Sequence, residues 1–206
     1  MRLIVVRHGE TFYNMEDRLT GQADIPLSPL GERQAERVGV YLAGEKLDGI
    51  VSSDLQRARV TALAIAAHHG LVVQEDPDIR EIALGNWEGM LSSEVAVLEP
   101  ELMAKWRADA SLFAPVGGET LVQLHARIVR ALDRWSTRYP TGTVVWVAHG
   151  GLIGVLICHL LDMDIKRRRQ FHLDNASISE FRFESERTRV FRLNETAFLH
   201  NLAEMR

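Results

Sequence analysis

Cysteine is what this chain has least of: one in 206 residues, beside three tyrosines and six prolines. The lone Cys158 excludes an intrachain disulfide framework. It stands in an apolar run and reads as a buried, inert thiol rather than a nucleophile. No apolar stretch reaches the ~18 residues of a membrane-spanning helix, so no membrane partner is expected. No charged leader precedes an apolar segment and cleavage site, and a cytoplasmic location is the expectation. Basic excess is missing too: 24 Lys and Arg against 28 Asp and Glu give a net charge of -4, which argues against nucleic acid as a partner. No repeat, low-complexity tract or linker is visible. What remains is an ordinary globular composition, 46% hydrophobic and 25% charged. It suits a single domain over residues 1–206 with a substantial core.

Strand-like and helix-like segments alternate. Leu3-Ile4-Val5-Val6 reads as a buried strand, followed by a polar loop over 9–27. Ser28 followed by Pro29 predicts a helix start, with Ala35, Val38 and Leu42 at helical spacing. Gly49-Ile50-Val51 is a short strand. Ser53 is expected to cap a helix striped by Leu55, Ala58, Ala62 and Ile65, and Leu71-Val72-Val73 to form a third strand. Short helices are predicted over 91–98 and 100–108. A long one follows, with Leu121, Leu124, Ile128, Leu132 and Trp135 on one face. Thr143–Ala148 is the clearest strand and runs into an apolar helix over 152–161. Two strands, near 177–184 and 189–194, close the chain. The alternation predicts an α/β fold, a mostly parallel central sheet sandwiched between helices on both faces.

Two strand ends share a design. Val5-Val6-Arg7-His8-Gly9 and Val147-Ala148-His149-Gly150-Gly151 each place a histidine after an apolar strand and before glycine. In parallel strands both emerge on the carboxyl edge, where open α/β sheets bind ligands. Such a histidine can be a nucleophile, a base or a metal ligand. Adjacent glycines let an oxyanion approach the backbone, and the helix near Gly151 offers N-terminal amides. Arg7 and Arg57 approach the same edge, and guanidinium groups suit a phosphate dianion. Arg59 should point elsewhere and reads as a surface ion pair.

With these residues in hand, the chain resembles the histidine phosphatase superfamily, in the branch holding cofactor-dependent phosphoglycerate mutases and smaller broad-specificity phosphatases. The matching pieces are Arg7-His8-Gly9-Glu10-Thr11 with Asn14, Thr20-Gly21-Gln22-Ala23-Asp24 with Pro26-Leu27-Ser28, and Gly31. Ser52-Ser53-Asp54-Leu55-Gln56-Arg57-Ala58, Arg80-Glu81 and Leu84-Gly85-Asn86-Trp87-Glu88-Gly89 follow in order. Gly117-Gly118-Glu119-Thr120 and Val147–Gly151 complete the set.

The resemblance implies a three-layer α/β/α fold of the phosphoglycerate mutase type, with residues 86–116 as a small helical cap over the active site. It implies His8 as a nucleophile that becomes phosphohistidine, and Glu81 as general acid and base. Arg7, Arg57 and His149 would hold the phosphoryl group. Asn14, Thr20, Gly21, Gln22 and the Gly150 amide would lie beside the substrate. No cofactor or metal is implied, and the partner would be a small phosphorylated metabolite bound by a monomer or homodimer. His149 facing a dianion is expected protonated, and Glu81 in a partly closed pocket is expected to have a raised pKa.

A metal hydrolase is disfavoured, because arginines beside the presumed ligands oppose a cation and no His-x-x-x-His spacing occurs. Hydrolysis is favoured over mutase transfer. The chain is short, and the stretch Arg80–Gly89 lacks the basic and aromatic residues that follow the acid in glycolytic mutases. The tail Leu193-Asn194-Glu195-Thr196 resembles that of phosphoserine phosphatases. Phosphoserine and α-ribazole phosphate are kept as alternative substrates, and a non-catalytic phosphate-binding relative as an alternative class. The cap offers Leu98, Met103, Trp106, Leu112 and Phe113 against Lys105 and Arg107. Such a stripe is usually core packing; where part of it lines the pocket, it favours a monophosphate of apolar or neutral character over a bisphosphate. His125, His159, His172 and His200 are expected to be structural.

Overall fold

The computed structural model describes residues 1–184 and 187–200. The first strand, β1 (Arg2–Arg7), is followed by a one-turn helix, α1 (Phe12–Met15), inside the segment expected to be loop. Thr11 caps it by accepting the Asn14 amide. Helix α2 (Pro29–Leu42) starts as its sequence dictates. Ser28 accepts the Gly31 amide, and Pro29 sits where a missing N–H leaves nothing unpaired.

Strand β2 (Gly49–Ser52) leads to α3 (Gln56–Ala66) and β3 (Val73–Glu75). Two boundaries differ from expectation. Leu55, not Ser53, occupies the N-cap of α3, and the Ser53 hydroxyl accepts the Leu55 amide at 3.3 Å. The third strand begins at Val73, where pairing with Ile50 begins, and Val72 is left 82% exposed. Helices α4 (Ser92–Leu98), α5 (Pro100–Asp109) and α6 (Leu121–Arg138) follow. Then come β4 (Thr143–Ala148), α7 (Gly150–Leu160), β5 (Ile178–Phe183) and β6 (Thr188–Glu195).

The sheet order is β3-β2-β4-β1-β5-β6. The first four strands are parallel, and β5 and β6 extend the edge as antiparallel neighbours. Strand alternation divides the core. Leu3, Val5, Val144 and Trp146 pack with α6 and α7 on one face, and Ile4, Val6, Val145 and Val147 pack with α2 and α3 on the other. Burial of each such aliphatic side chain stabilises the fold by roughly 1.5–3 kcal/mol, so the two faces jointly fix the register. That register pairs Arg7 with Ala148. The next residues, His8 and His149, therefore leave the sheet side by side. Among the described residues no helix is long and apolar enough to cross a membrane.

Candidate active site

The carboxyl ends of β1, β2, β3 and β4 share one edge. His8 and His149 meet there with ring centroids 5.1 Å apart, tilted by 57°. Both are buried. The Nδ1 of His8 lies 2.6 Å from the Gly9 carbonyl oxygen. A carbonyl only accepts, so Nδ1 carries the proton and the lone pair is on Nε2. Gly9 is required at this corner, because a Cβ there would stand 2.4 Å from the Gly31 carbonyl oxygen.

Arg57 is fully buried at the second position of α3. Its Nη1 donates to the Ala23 carbonyl at 2.7 Å and its Nη2 to that of Gly21 at 2.8 Å. Arg7 Nη1 donates to the Leu173 carbonyl at 2.5 Å. Among the described residues, the Nε atoms of both arginines and both ring nitrogens of His149 are buried without a hydrogen-bond partner. An unsatisfied buried polar group costs about 1–3 kcal/mol, and buried groups are nearly always paired. Four such nitrogens at one sheet edge form a socket for a multivalent acceptor, which an oxyanion is.

Burial, and then the charges of Arg57 and Arg7, push the His8 imidazole well below the usual histidine range. Burial and the Arg57 charge do the same to His149. Burial lowers Arg57 to about 10, so it remains a cation at neutral pH. The protonated His149 of the expectation thus requires the charge of an anion beside it.

The Glu81 carboxylate sits on the start of α7. It accepts the Gly151 amide at 2.8 Å, the Leu152 amide at 3.0 Å and the Ile82 amide at 2.8 Å. Two helix amides expected to face a substrate anion are therefore occupied by Glu81. Gly151 makes this approach possible, since a Cβ would stand 2.6 Å from Glu81 Oε1. Arg127 on α6, 8% exposed, was no candidate in the sequence. It donates to the carbonyls of Asp78 at 2.9 Å and Glu81 at 2.7 Å and pairs with Glu119. The available signal was its place in the apolar stripe, three residues after Leu124 and four before Ala131.

The remaining candidates distribute unevenly. A Cβ on Gly150 would lie 3.3 Å from Arg7 Nε, so Gly150 adjoins the socket. Gly21 holds Arg57, and Gln22 Nε2 donates to the Glu81 carbonyl at 3.0 Å. Asn14 Oδ1 accepts Asn175 Nδ2 at 3.2 Å, and the same Nδ2 lies 3.2 Å from the His8 carbonyl oxygen. Asn175 was missed because a lone loop asparagine carries no periodic signal. The Thr20 hydroxyl turns to the Arg18 carbonyl at 3.4 Å. Arg59 pairs with Glu75 at the surface, as expected.

An open cavity of about 390 Å³ adjoins Arg7, Glu81 and Gly150. Its other wall is Arg168, Arg169, Phe171, His172 and Leu173, not residues 86–116. Met103 and Trp106, expected as cap residues, are buried, and Trp106 stacks edge-on against Trp87 at 5.5 Å. Leu98 and Leu112 point to solvent. None of these four lines the cavity, so the expectation of an apolar or neutral leaving group gains no support there. One histidine reading changes: His172, expected to be structural, belongs to the cavity wall and pairs with Asp174. His125 and His159 bond each other at 3.0 Å, a structural contact. Among the described residues no three His, Cys, Asp or Glu side chains are grouped to hold a metal ion.

Comparison with known proteins adds a second line of observation. A family model described as histidine phosphatase superfamily (branch 1) matches residues 3–196. Phosphoserine phosphatase 1 of Hydrogenobacter thermophilus is 36% identical over 199 residues, covering 97% of this chain and 94% of that protein. Glucosyl-3-phosphoglycerate phosphatase of Mycobacterium tuberculosis is 40% identical over 172 residues, 80% of this chain and 77% of that one. A solved mycobacterial glucosyl-3-phosphoglycerate phosphatase in complex with VO3 superposes with a TM-score of 0.86 at 35% identity, covering 95% and 99% of the two chains.

Proposed function

The chain belongs to the histidine phosphatase superfamily and is an enzyme of its phosphatase class, and from that premise we propose that it hydrolyses small phosphomonoesters without a metal, through a phosphohistidine at His8. The observation that carries the reading is the His8 tautomer: Nδ1 is committed to the Gly9 carbonyl, leaving Nε2 free to attack. The unpartnered nitrogens of Arg7, Arg57 and His149 supply the charge stabilisation that phosphoryl transfer chiefly needs. The VO3 bound by the mycobacterial relative is an oxyanion of the kind this socket suits. The described residues act together as one catalytic domain.

The reaction runs in two halves. His8 Nε2 forms a bond to phosphorus while the phosphorus–oxygen bond to the alcohol breaks, and Glu81 gives its proton to the departing oxygen. Glu81 then takes a proton from water, the water oxygen bonds to phosphorus, and the phosphorus–nitrogen bond breaks. His8 and the protonated Glu81 are restored. Arg7, Arg57 and an anion-bound, protonated His149 hold the three equatorial oxygens throughout.

The decisive experiment is chemical trapping. Mixing with a labelled phosphomonoester should leave acid-labile, base-stable phosphate on the protein, absent in His8→Ala and unaffected by a chelator. Failure to label, together with activity that a chelator abolishes, would overturn the mechanism.

A further inference from the structure

The cavity beside the socket has a second basic focus that the phosphohistidine chemistry does not use. Arg168 lines the same cavity as Arg7 and Glu81, and its Nε is buried with no hydrogen-bond partner among the described residues. Among the described residues no carboxylate stands within ion-pairing distance of it. Its backbone and Cβ pack on Gly154 of α7, where an added Cβ would lie 2.9 Å from the Arg168 carbonyl oxygen. Neighbouring Arg169 lies 4.8 Å over the Trp106 ring and lines the same wall. Burial, and then the Arg169 charge, lower Arg168 to about 10, yet it stays cationic at neutral pH.

A guanidinium whose Nε is buried with no acceptor carries a cost, and proteins rarely leave such a group unpaired. Arg7 and Arg57 show the same signature at the socket, where a phosphoryl group is to be received. We infer that Arg168 receives a second anionic group of the substrate, a carboxylate or a second phosphate carried by the alcohol portion, while the socket holds the phosphoryl group being transferred. This rests on the phosphatase reading above and sharpens it to a substrate class. Arg168 is thereby a specificity residue, assisted by the charge of Arg169. The rival role is electrostatic: Arg168 also feels the Glu81 charge, and would then act on the general acid for every substrate alike.

Matched substrate pairs separate these. O-phosphoserine and O-phosphoethanolamine differ by one carboxylate, and propanediol bisphosphate and monophosphate differ by one phosphate. p-Nitrophenyl phosphate carries no second anion. The unmodified protein should favour the doubly anionic member of at least one pair by roughly tenfold or more in kcat/KM, as for a charged hydrogen bond. The pair that responds identifies the anion. In Arg168→Gln the preference should collapse towards parity, mainly through KM, and Arg168→Lys should retain part of it. Turnover of p-nitrophenyl phosphate should fall by a much smaller factor. Turnover without any preference, or a preference that survives in Arg168→Gln, would overturn the second site alone. So would equal loss on all substrates, or a shifted pH profile of kcat in Arg168→Gln. No turnover of any substrate by the unmodified protein would overturn the phosphatase reading itself.

Discussion

Arg127 Nη2 donates to the main-chain carbonyl of Glu81 at 2.7 Å, so the proposed acid and base is held through its backbone by a cation on a different helix. The same guanidinium pairs with Glu119, whose carboxylate accepts the Ala83 amide. Arg127→Met should lower stability by about 3 kcal/mol, the loss typical of breaking one side of a buried pair. As a positioning residue it should lower kcat more than it raises KM, with partial rescue by Arg127→Lys. Urea unfolding and steady-state kinetics on the three proteins check both halves.

Gly151 separates catalysis from stability. Alanine normally gains up to about 1 kcal/mol over glycine in a helix. Here its Cβ would meet Glu81 Oε1 at 2.6 Å and push the carboxylate away. A displacement near an ångström can cost on the order of a hundredfold in rate. Gly151→Ala should therefore unfold at a temperature close to the parent's while kcat falls by roughly that factor.

Acid should destabilise the protein through the paired imidazoles. His8 and His149 are both held well below the ordinary histidine value of 6.5, so the folded chain keeps them neutral while the unfolded chain protonates them. Their contribution is intact above pH 6.5 and is lost as pH falls below it. Each histidine costs up to about 1.4 kcal/mol per pH unit in that window. Thermal unfolding between neutral and mildly acid pH, without oxyanions in the buffer, should show a slope that His149→Gln reduces. An unchanged slope would refute the assignment.

Sulfate should bind more tightly as pH falls. An anion beside His149 favours the imidazolium, so binding takes up a proton. Sulfate remains a dianion throughout the relevant range, which leaves the protein as the titrating partner. Calorimetry in buffers of different ionisation enthalpy should register net uptake, lost in His149→Gln. Affinity independent of pH would count against His149 as the phosphoryl-binding cation.

The sequence exposed what periodicity encodes. The apolar runs of β1 and β4, the capped start of α2 and the stripe of α6 all form where the spacing put them. The two histidines were legible because each ends an uninterrupted apolar strand. Arg127 was hidden because a charged residue inside an apolar stripe looks like an interruption of it. Arg168 was hidden more deeply. It lies in a short 3-10 turn, Ile165–Gln170, with no regular spacing, and only the packing of that turn on α7 brings it to the cavity. The apolar residues of α5 misled for the opposite reason, since a stripe facing the core and a stripe facing a ligand read alike until Trp106 is seen against Trp87.

The pairing of Arg7 with Ala148 sets the spacing of the two histidines through the hydrogen-bond ladder of the sheet. The facing wall over 168–173 is built separately and meets Arg7 at the Leu173 carbonyl. If His8 and Arg168 act as proposed, chemistry and selectivity sit on separate parts of the chain: the wall from Arg168 to His172 can be exchanged, in the laboratory or over generations, while the strand ladder keeps His8 and His149 in register, so new leaving groups become reachable without relearning the reaction.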